Sequence, residues 1–256
     1  MCAARLITIP FSHYCEKARW ALSHCGCVFY EDGHLPMLHW LPVMRVGGQR
    51  TVPTLVVDGS TLADSTDILE WADRRAPPSR KLYPESCRTE VCALEEQFDQ
   101  VLGPASRRWV YAQLSIRRAA TIKMASQRVP RWQAKLAPLW IRPFSRLIRR
   151  YLRIDHAGVA RSLDRIEDIF KQVGEMLADG RAYLVGNQFT AADLTFAALA
   201  APLILPESYG ATLPTLDEMA EHTRMQIQRW RAHPAGAFAL EIYRRHREPE
   251  QSSSAA

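Results

Sequence analysis

The chain has 256 residues, of which 47% are hydrophobic and 23% are charged, with a net charge of +6. These values are ordinary for a globular protein, and the length suffices for two moderate domains. The longest nearly uninterrupted apolar stretch, 194–206, is shorter than the roughly 20 residues of a membrane-spanning helix. The first residues do not form a secretory signal. We therefore expect a cytoplasmic protein that does not cross a membrane.

Six cysteines are spread through the first 92 residues. In a reducing compartment we expect them to stay unpaired. Cys25 and Cys27 are separated by one residue, which is a poor spacing for zinc, and no second Cys/His pair completes a site. We predict that the protein holds no metal.

Strand and helix signals alternate over the first 80 residues. In chain order the pattern first predicts a strand at 5–10, a helix that begins at Ser12 and ends at Gly26, and a strand at 27–30. A loop with a short helical turn at 34–49 and a hairpin at 54–63 follow. The last element is a helix that begins at Asp64 or Ser65 and stops at Pro77. Glu16 in the first helical turn is placed to favour the positive end of that helix. A βαβ unit followed by a hairpin and a helix predicts a mixed sheet, hence an α/β domain over residues 1–78.

Residues 79–86 have the composition of a linker, and beyond them the strand signals end. Helical patterns then predict an all-α domain over 87–247, followed by a disordered tail at 248–256. The expected helices are 87–103, 105–128, 134–153 with breaks at Pro138 and Pro143, 156–178, 191–205, 216–232 and 235–247.

Three short blocks in the first domain carry chemistry. Ser12 lies at a strand-to-helix turn, where free backbone N–H groups and a hydroxyl donor can stabilise a thiolate. Val52-Pro53 precedes a strand, and a cis proline there would leave the backbone of Val52 open to an extended ligand. Asp64-Ser65 begins a helix and suits the ammonium and carboxylate of an amino acid. Each block also has a plain structural explanation as a cap or a turn.

Together these blocks resemble the glutathione transferase superfamily, of the serine or cysteine type. Its members carry a catalytic residue after the first strand, a Val-Pro before the third, and an acidic residue followed by Ser at the next helix. The segment 183–194, Tyr-Leu-Val-Gly-Asn-Gln-Phe-Thr-Ala-Ala-Asp-Leu, is similar to a signature of the helical domain of the family. In it, Thr190 and Asp193 have the spacing of a capping box.

The resemblance implies a thioredoxin-like domain followed by an all-helical domain, and glutathione as co-substrate. It implies that Asp64 and Ser65 hold the γ-glutamyl group, and that Val52, beside Pro53, pairs with the cysteinyl backbone. His39, Gln49 and Arg50 are the candidates for the glycyl carboxylate. Ser12 would lower the pKa of the glutathione thiol for attack on a small electrophile. A homodimer with a role in detoxification is the corresponding expectation.

Cys15 leaves a second chemistry open. If it lies near the bound sulfur, Ser12 and Cys15 would form half of a redox pair, and the protein would be a glutathione-dependent thiol oxidoreductase. Alternatively, Cys15 is a buried cysteine on the face of a helix. Family members that form mixed disulfides place cysteine at the position of Ser12, so we rank conjugation above thiol exchange.

No acidic residue occurs between Asp99 and Asp155, whereas thirteen basic residues do. They are Arg107, Arg108, Arg117, Arg118, Lys123, Arg128, Arg131, Lys135, Arg142, Arg146, Arg149, Arg150 and Arg153. This basic segment is either a solvated face together with the rim of a dimer, a site for an anionic electrophile, or a docking patch for an acidic partner or a membrane surface. We expect no nucleic acid partner, because no recognition motif accompanies the charge. A non-catalytic relative that uses this segment for interaction is the alternative function.

Overall fold

The structure is a computed structural model that describes residues 4–114 and 118–247. The tail predicted at 248–256 lies outside the described residues. Within them the elements, in chain order, are β1 (Ala4–Thr8), α1 (His13–His24), β2 (Phe29–Gly33), α2 (Trp40–Arg45), β3 (Thr54–Val57), β4 (Ser60–Leu62), α3 (Ser65–Arg75), α4 (Arg88–Gln97), α5 (Gly103–Leu114), α6 (Arg118–Ala125), α7 (Arg131–Tyr151), α8 (His156–Met176), α9 (Ala191–Ile204), α10 (Glu221–Ala232) and α11 (Pro234–His246).

The four strands form one mixed sheet in the order β2-β1-β3-β4. β1 pairs in parallel with β2 and antiparallel with β3, so that Leu6 lies opposite Leu55. β3 turns into β4 through Asp58 and Gly59, both with positive φ, which is the backbone conformation of the tightest hairpin turns. An α/β domain with a mixed sheet followed by an all-helical domain confirms the predicted fold class.

Some predicted boundaries shift. The second strand begins at Phe29 rather than Cys27, and α10 begins at Glu221, after a short 3₁₀ turn at Leu216–Glu218. Between α3 and α4 the chain forms only two 3₁₀ turns, at Pro78–Arg80 and Glu85–Cys87. The exact domain boundaries stay a prediction.

Helix α7 is continuous through Pro138 and Pro143, so the predicted breaks are wrong. A proline inside a helix costs about 3 kcal/mol, since it removes a hydrogen bond and crowds the preceding turn. Burial of Ala137, Ile141 and Phe144, on either side of the two prolines, holds α7 in place. Tertiary packing therefore outweighs the local preference.

Helix α1 is buried on every side, between the sheet, α3 and α9. Its charged residues Glu16, Lys17 and Arg19 have no exposed surface. Glu16 lies in the first turn of α1, as its position predicted. It also forms ion pairs with Arg19 at 2.5 Å and with Arg247, after the last helix of the chain, at 2.9 Å.

Helix α9 is hydrophobic all round and forms the centre of the helical domain, packing on α1, α4, α5 and α11. The predicted capping box at its start is present. The buried carboxylate of Asp193 accepts hydrogen bonds from the Thr190 N–H and hydroxyl, both at 2.9 Å, and from the Leu184 N–H at 2.7 Å. Among the described residues, no helix is long and apolar enough to cross a membrane.

We predict that Asp193→Ala lowers the free energy of unfolding by about 3 kcal/mol or more, because three buried donors lose their acceptor. The chain offers a matched control in Glu218→Ala, since Thr215 and Glu218 form the same capping box at an exposed turn. That control should cost about 1 kcal/mol or less. Urea unfolding of both variants measures the difference, and equal losses would contradict the buried role of Asp193.

Candidate functional site

An open cleft of about 590 Å³ separates the sheet domain from the helical domain. One wall comes from the turn before α1 and from the loops around α2, with Ser12, His39 and Val52. The other wall comes from α5, α6 and α7 and is largely apolar or aromatic. It includes Val110, Tyr111, Met124, Phe144 and Leu147. A largely apolar cleft with a few polar groups on one side suits a ligand that is partly polar and partly apolar.

Ser12 lies directly before α1, in extended conformation, and its side chain makes no capping hydrogen bond. Its backbone N–H donates to Ile9 O at 2.9 Å, which fixes the turn between β1 and α1. Ser12 lines the cleft beside the positive end of α1, and its hydroxyl shares a hydrogen bond with the buried Cys15 thiol. This is the environment in which a thiolate is stabilised.

The next residues are held by a π-helical turn at Phe98–Leu102, between α4 and α5. Such a turn frees carbonyl groups from the helical pattern. Tyr14 donates its hydroxyl hydrogen bond to Asp99 O at 2.9 Å, and His13 Nε2 lies 3.2 Å from Gly103 O. A side chain at position 103 would collide with the Tyr14 hydroxyl, so glycine is required there. The helical domain thereby positions the first turn of α1.

His39 and Arg50, which the resemblance offers as candidates for the glycyl carboxylate, both line the cleft. His39 Nε2 lies 3.2 Å from Arg50 O, so these residues support each other. Burial lowers the pKa of His39 to about 4, which leaves its ring neutral at pH 7. The Arg50 guanidinium is exposed and lies over the Trp40 ring, 5.6 Å from its centroid. Arg50 is therefore the charged member of this pair.

The Val52-Pro53 peptide bond is cis, as the sequence suggested. Val52 lines the cleft, and its backbone makes no hydrogen bond with another described residue. Pro53 is buried behind it. An extended ligand could therefore pair with the backbone of Val52 in the manner of an added strand.

Asp64, Ser65 and Gln49 lie outside the lining of the cleft. Asp64 caps α3 by accepting a hydrogen bond from the Thr66 N–H at 2.8 Å, and Ser65 is buried at the first helical position. Asp64 is still close to the cleft, because its charge acts on Tyr14, which lines the cleft. Burial is the main cause of the raised pKa of Tyr14, and the charge of Asp64 adds to it. Gln49 is exposed. The structure thus brings four predicted residues to the cleft, namely Ser12, His39, Arg50 and Val52.

Cys15 has no exposed surface. Burial raises the pKa of its thiol to about 12, although a hydrogen bond with Ser12 opposes that rise. A buried neutral thiol is a poor nucleophile. Thiol exchange through Cys15 stays a hypothesis that this geometry does not favour.

The helical wall of the cleft contains residues that the sequence did not single out as site residues. Arg107 and Tyr111 come from α5, and Phe144 comes from α7. Arg107 was one of thirteen basic residues in its segment, and nothing local distinguished it from the others. The described residues include no group of three or more His, Cys, Asp or Glu side chains arranged for a metal.

Family comparisons agree with this architecture. Residues 6–80 match the glutathione S-transferase N-terminal domain, and residues 157–232 match the glutathione S-transferase C-terminal domain. The two matches together cover more than half of the chain and include both domains. The protein belongs to the glutathione transferase superfamily. A comparison with curated protein sequences finds no match.

Several solved structures share the fold at low sequence identity. A glutathione S-transferase from Methylobacillus flagellatus KT, solved with GSH bound, is 18% identical, with 95% of each chain covered and a TM-score of 0.58. A glutathione transferase from Phanerochaete chrysosporium is 17% identical, with 94% of this chain and 96% of that chain covered and a TM-score of 0.61. A beta-etherase from Sphingobium is 17% identical, with 93% and 99% covered and a TM-score of 0.60.

We predict that acid destabilises the protein through its buried neutral histidines. Burial, with the charge of Arg107, lowers the pKa of His13 to about 3, against about 6.5 in an unfolded chain. Because the folded pKa is the lower one, this stabilisation is complete above pH 6.5 and is lost as the pH falls toward 3. The free energy of unfolding should fall by up to about 1.4 kcal/mol per pH unit for each such group.

Urea unfolding between pH 7 and pH 4 measures this slope. His13→Gln, which keeps a donor for Gly103 O, should reduce the slope, whereas His156→Gln at an exposed position should not. An unchanged slope in His13→Gln would mean that His13 does not contribute to the acid sensitivity.

Proposed function

We propose that the protein is a glutathione transferase, which activates the thiol of glutathione for attack on a small electrophile. One observation carries the proposal: the hydroxyl of Ser12 and the unpaired backbone of Val52 lie at the same cleft. The cysteinyl unit of glutathione carries a backbone that can pair with Val52 and a sulfur that can accept from Ser12. Family membership and a GSH-bound relative support the same conclusion.

In this proposal Ser12 donates a hydrogen bond to the glutathione sulfur and lowers the pKa of the thiol. The positive end of α1 favours the same charge. Arg50, with His39 behind it, meets the glycyl carboxylate, and Asp64 with Ser65 holds the γ-glutamyl group. The electrophile occupies the apolar wall formed by α5, α6 and α7. The reaction requires no metal.

The wider proposal is a cytoplasmic homodimer with a role in detoxification. It rests on what the family resemblance implies, and analytical ultracentrifugation of the purified chain can check the oligomeric state.

To test the proposed activity, glutathione affinity and turnover with chlorodinitrobenzene are measured for the wild type and for Ser12→Ala. Loss of a hydrogen-bond donor to a developing charge costs about 10²-fold in rate, so Ser12→Ala should lower kcat to that extent. The pH at which the bound thiol ionises should also rise, because its anion loses a donor.

Cys15→Ala is the matched control, since Cys15 lies one helical turn from Ser12 but is fully buried. We expect it to keep its turnover. Full activity in Ser12→Ala would remove the catalytic role of Ser12, and loss only in Cys15→Ala would point to thiol exchange. A wild type that does not bind glutathione would refute the proposed function.

A second candidate function rests on the outer face of α7, which we define as Trp132, Leu136 and Leu139 together with the basic residues Arg131, Lys135, Arg142 and Arg146. The three apolar side chains are 54%, 40% and 76% exposed. With about 3.6 residues per turn, they fall on one side of the helix, and the basic residues fall beside them. None of these four basic residues forms an ion pair with a described residue.

This face fits an anionic lipid surface better than it fits a second copy of the chain. An amphipathic helix with large apolar side chains beside Lys and Arg is typical of helices that lie in the membrane interface. A two-fold dimer in which two copies of this face pack antiparallel would bring the basic row of one copy beside that of the other. The second candidate function is therefore reversible docking on anionic membranes.

Sedimentation with vesicles of phosphatidylserine and phosphatidylcholine tests the docking. The wild type should bind these vesicles, bind pure phosphatidylcholine vesicles more weakly, and be released by salt. Arg142→Gln with Arg146→Gln should weaken binding about 30-fold, since each basic residue contributes about 1 kcal/mol near such a surface. Lys171→Gln on α8, an exposed control, should change it little. No binding by the wild type would refute this function.

A further inference from the structure

The cleft carries positive charge without any negative charge to balance it. Its lining contains Arg50 and Arg107 and no acidic residue. The two histidines in the lining, His13 and His39, are neutral at pH 7, because burial lowers their pKa values to about 3 and about 4. The arginines are therefore the charges that a molecule in the cleft would meet. Arg50 lies on the wall of the sheet domain, and Arg107 on the wall of the helical domain.

Arg107 differs from the three buried Lys and Arg residues that the structure describes because no carboxylate neutralises it. Lys17, Arg19 and Arg247 each contact a carboxylate within 3 Å. Arg107 forms no ion pair with a described residue, and its Nε atom is buried without a hydrogen-bond partner. Such a donor costs free energy until an acceptor arrives.

Arg107 and its neighbour Arg108 have different surroundings. Arg108, the next residue, donates to Leu152 O and to the Ser162 hydroxyl, both at 2.7 Å, and so joins α5 to α7 and α8. Arg107 instead lies close to His13 and Tyr111. Burial is the main cause of the lowered pKa of His13, and the charge of Arg107 adds to it. Burial raises the pKa of Tyr111, and the charge of Arg107 opposes that rise. Arg107 thus lies between the start of α1, next to Ser12, and the aromatic wall.

We infer that Arg107 binds the anionic group of the acceptor substrate, and that the acceptor is an aromatic or other apolar electrophile that carries a carboxylate or a similar anion. The apolar wall of Val110, Met124 and Phe144 would take its hydrophobic body. The guanidinium would pair with its anion, with a strength raised by the apolar surroundings. This inference rests on the proposed function for its reaction, but not for its binding site.

For a chlorodinitrobenzoate acceptor the transfer balances without a further reactant. The glutathione thiolate forms a carbon–sulfur bond at the ring carbon that bears chlorine, and chloride leaves with the electron pair of its bond. The thiol proton is released to solvent when the thiolate forms. The carboxylate on the ring takes no part in these bonds, so it can stay on Arg107 throughout.

The test compares chlorodinitrobenzoate with neutral chlorodinitrobenzene, at saturating glutathione. Arg107→Gln should lower kcat/KM for the anionic substrate by about 10- to 100-fold, in line with loss of a charged hydrogen bond, and should leave the neutral substrate within about threefold. Arg107→Lys keeps the charge and should restore part of the loss. Arg161→Gln removes one charge from the exposed face of α8 and should affect neither substrate.

A binding experiment separates this inference from the proposed activity. Calorimetry with dinitrobenzoate, which lacks the leaving group, should show binding to the wild type without glutathione and weaker binding to Arg107→Gln. If the wild type binds dinitrobenzoate through Arg107 but does not turn over glutathione, the site stands and the transferase function fails.

Three results would overturn the inference. The first is an equal loss of kcat/KM with both substrates in Arg107→Gln, which would mean that Arg107 stabilises the thiolate or the fold. The second is a weaker affinity of Arg107→Gln for glutathione, which would assign it to the tripeptide. The third is no binding of dinitrobenzoate by the wild type.

Discussion

A helix with no face toward solvent carries three charged side chains, and the pairing of those charges joins the two domains. In α1, Lys17 Nζ lies 2.8 Å from Glu95 Oε1 and 2.5 Å from Asp99 Oδ2, across the domain interface. Glu16 forms ion pairs both with Arg19 of the same helix and with Arg247, which follows the last helix of the chain. Burial alone would raise the pKa of Glu16, but Arg247 and Arg19 hold it below its ordinary value. Removal of one member of such a pair leaves an uncompensated buried charge, at a cost of about 3–5 kcal/mol.

The cleft depends on this arrangement because Ser12 lies directly before α1. The start of this helix is fixed by Tyr14 on the π-helical turn and by His13 on Gly103 O, at the start of α5. The Tyr209 hydroxyl, which donates to Phe11 O at 3.1 Å, fixes the residue before Ser12. Contacts from the helical domain therefore fix the position of the Ser12 hydroxyl in the sheet domain. The opposite wall is attached separately, since Trp140 of α7 donates to Pro36 O at 3.0 Å. A change in α7 can thus alter the apolar wall without moving Ser12.

Local signals in the sequence predicted the features that depend on local chemistry. The hairpin through Gly59, the cap by Asp64 and the capping box of Asp193 all involve residues within three positions of each other. The partner of Glu16 could not be predicted in this way, because Arg247 is 231 residues away and follows an ordinary helix end. The two prolines of α7 gave a wrong prediction for the same reason: the packing that overrides them is supplied by distant parts of the chain. Of the site, Ser12 and Val52 were accessible through family motifs, whereas the helical wall carries no motif.

The uneven distribution of acidic residues along the chain distinguishes the cations that stabilise the fold from those of the basic segment. Where the fold buries a cation for stability, it also supplies a carboxylate, as Glu95, Glu31 and Glu16 show for Lys17, Arg19 and Arg247. The segment 100–154 contains no carboxylate at all, so its cations stay uncompensated unless a distant residue reaches them. Buried pairs are screened little by salt, while exposed charges are screened within about 10 Å at ordinary ionic strength. The stability of the fold and the binding of anions by the segment should therefore respond to salt in different ways. That difference separates charges that hold this protein together from charges that are free to meet a ligand.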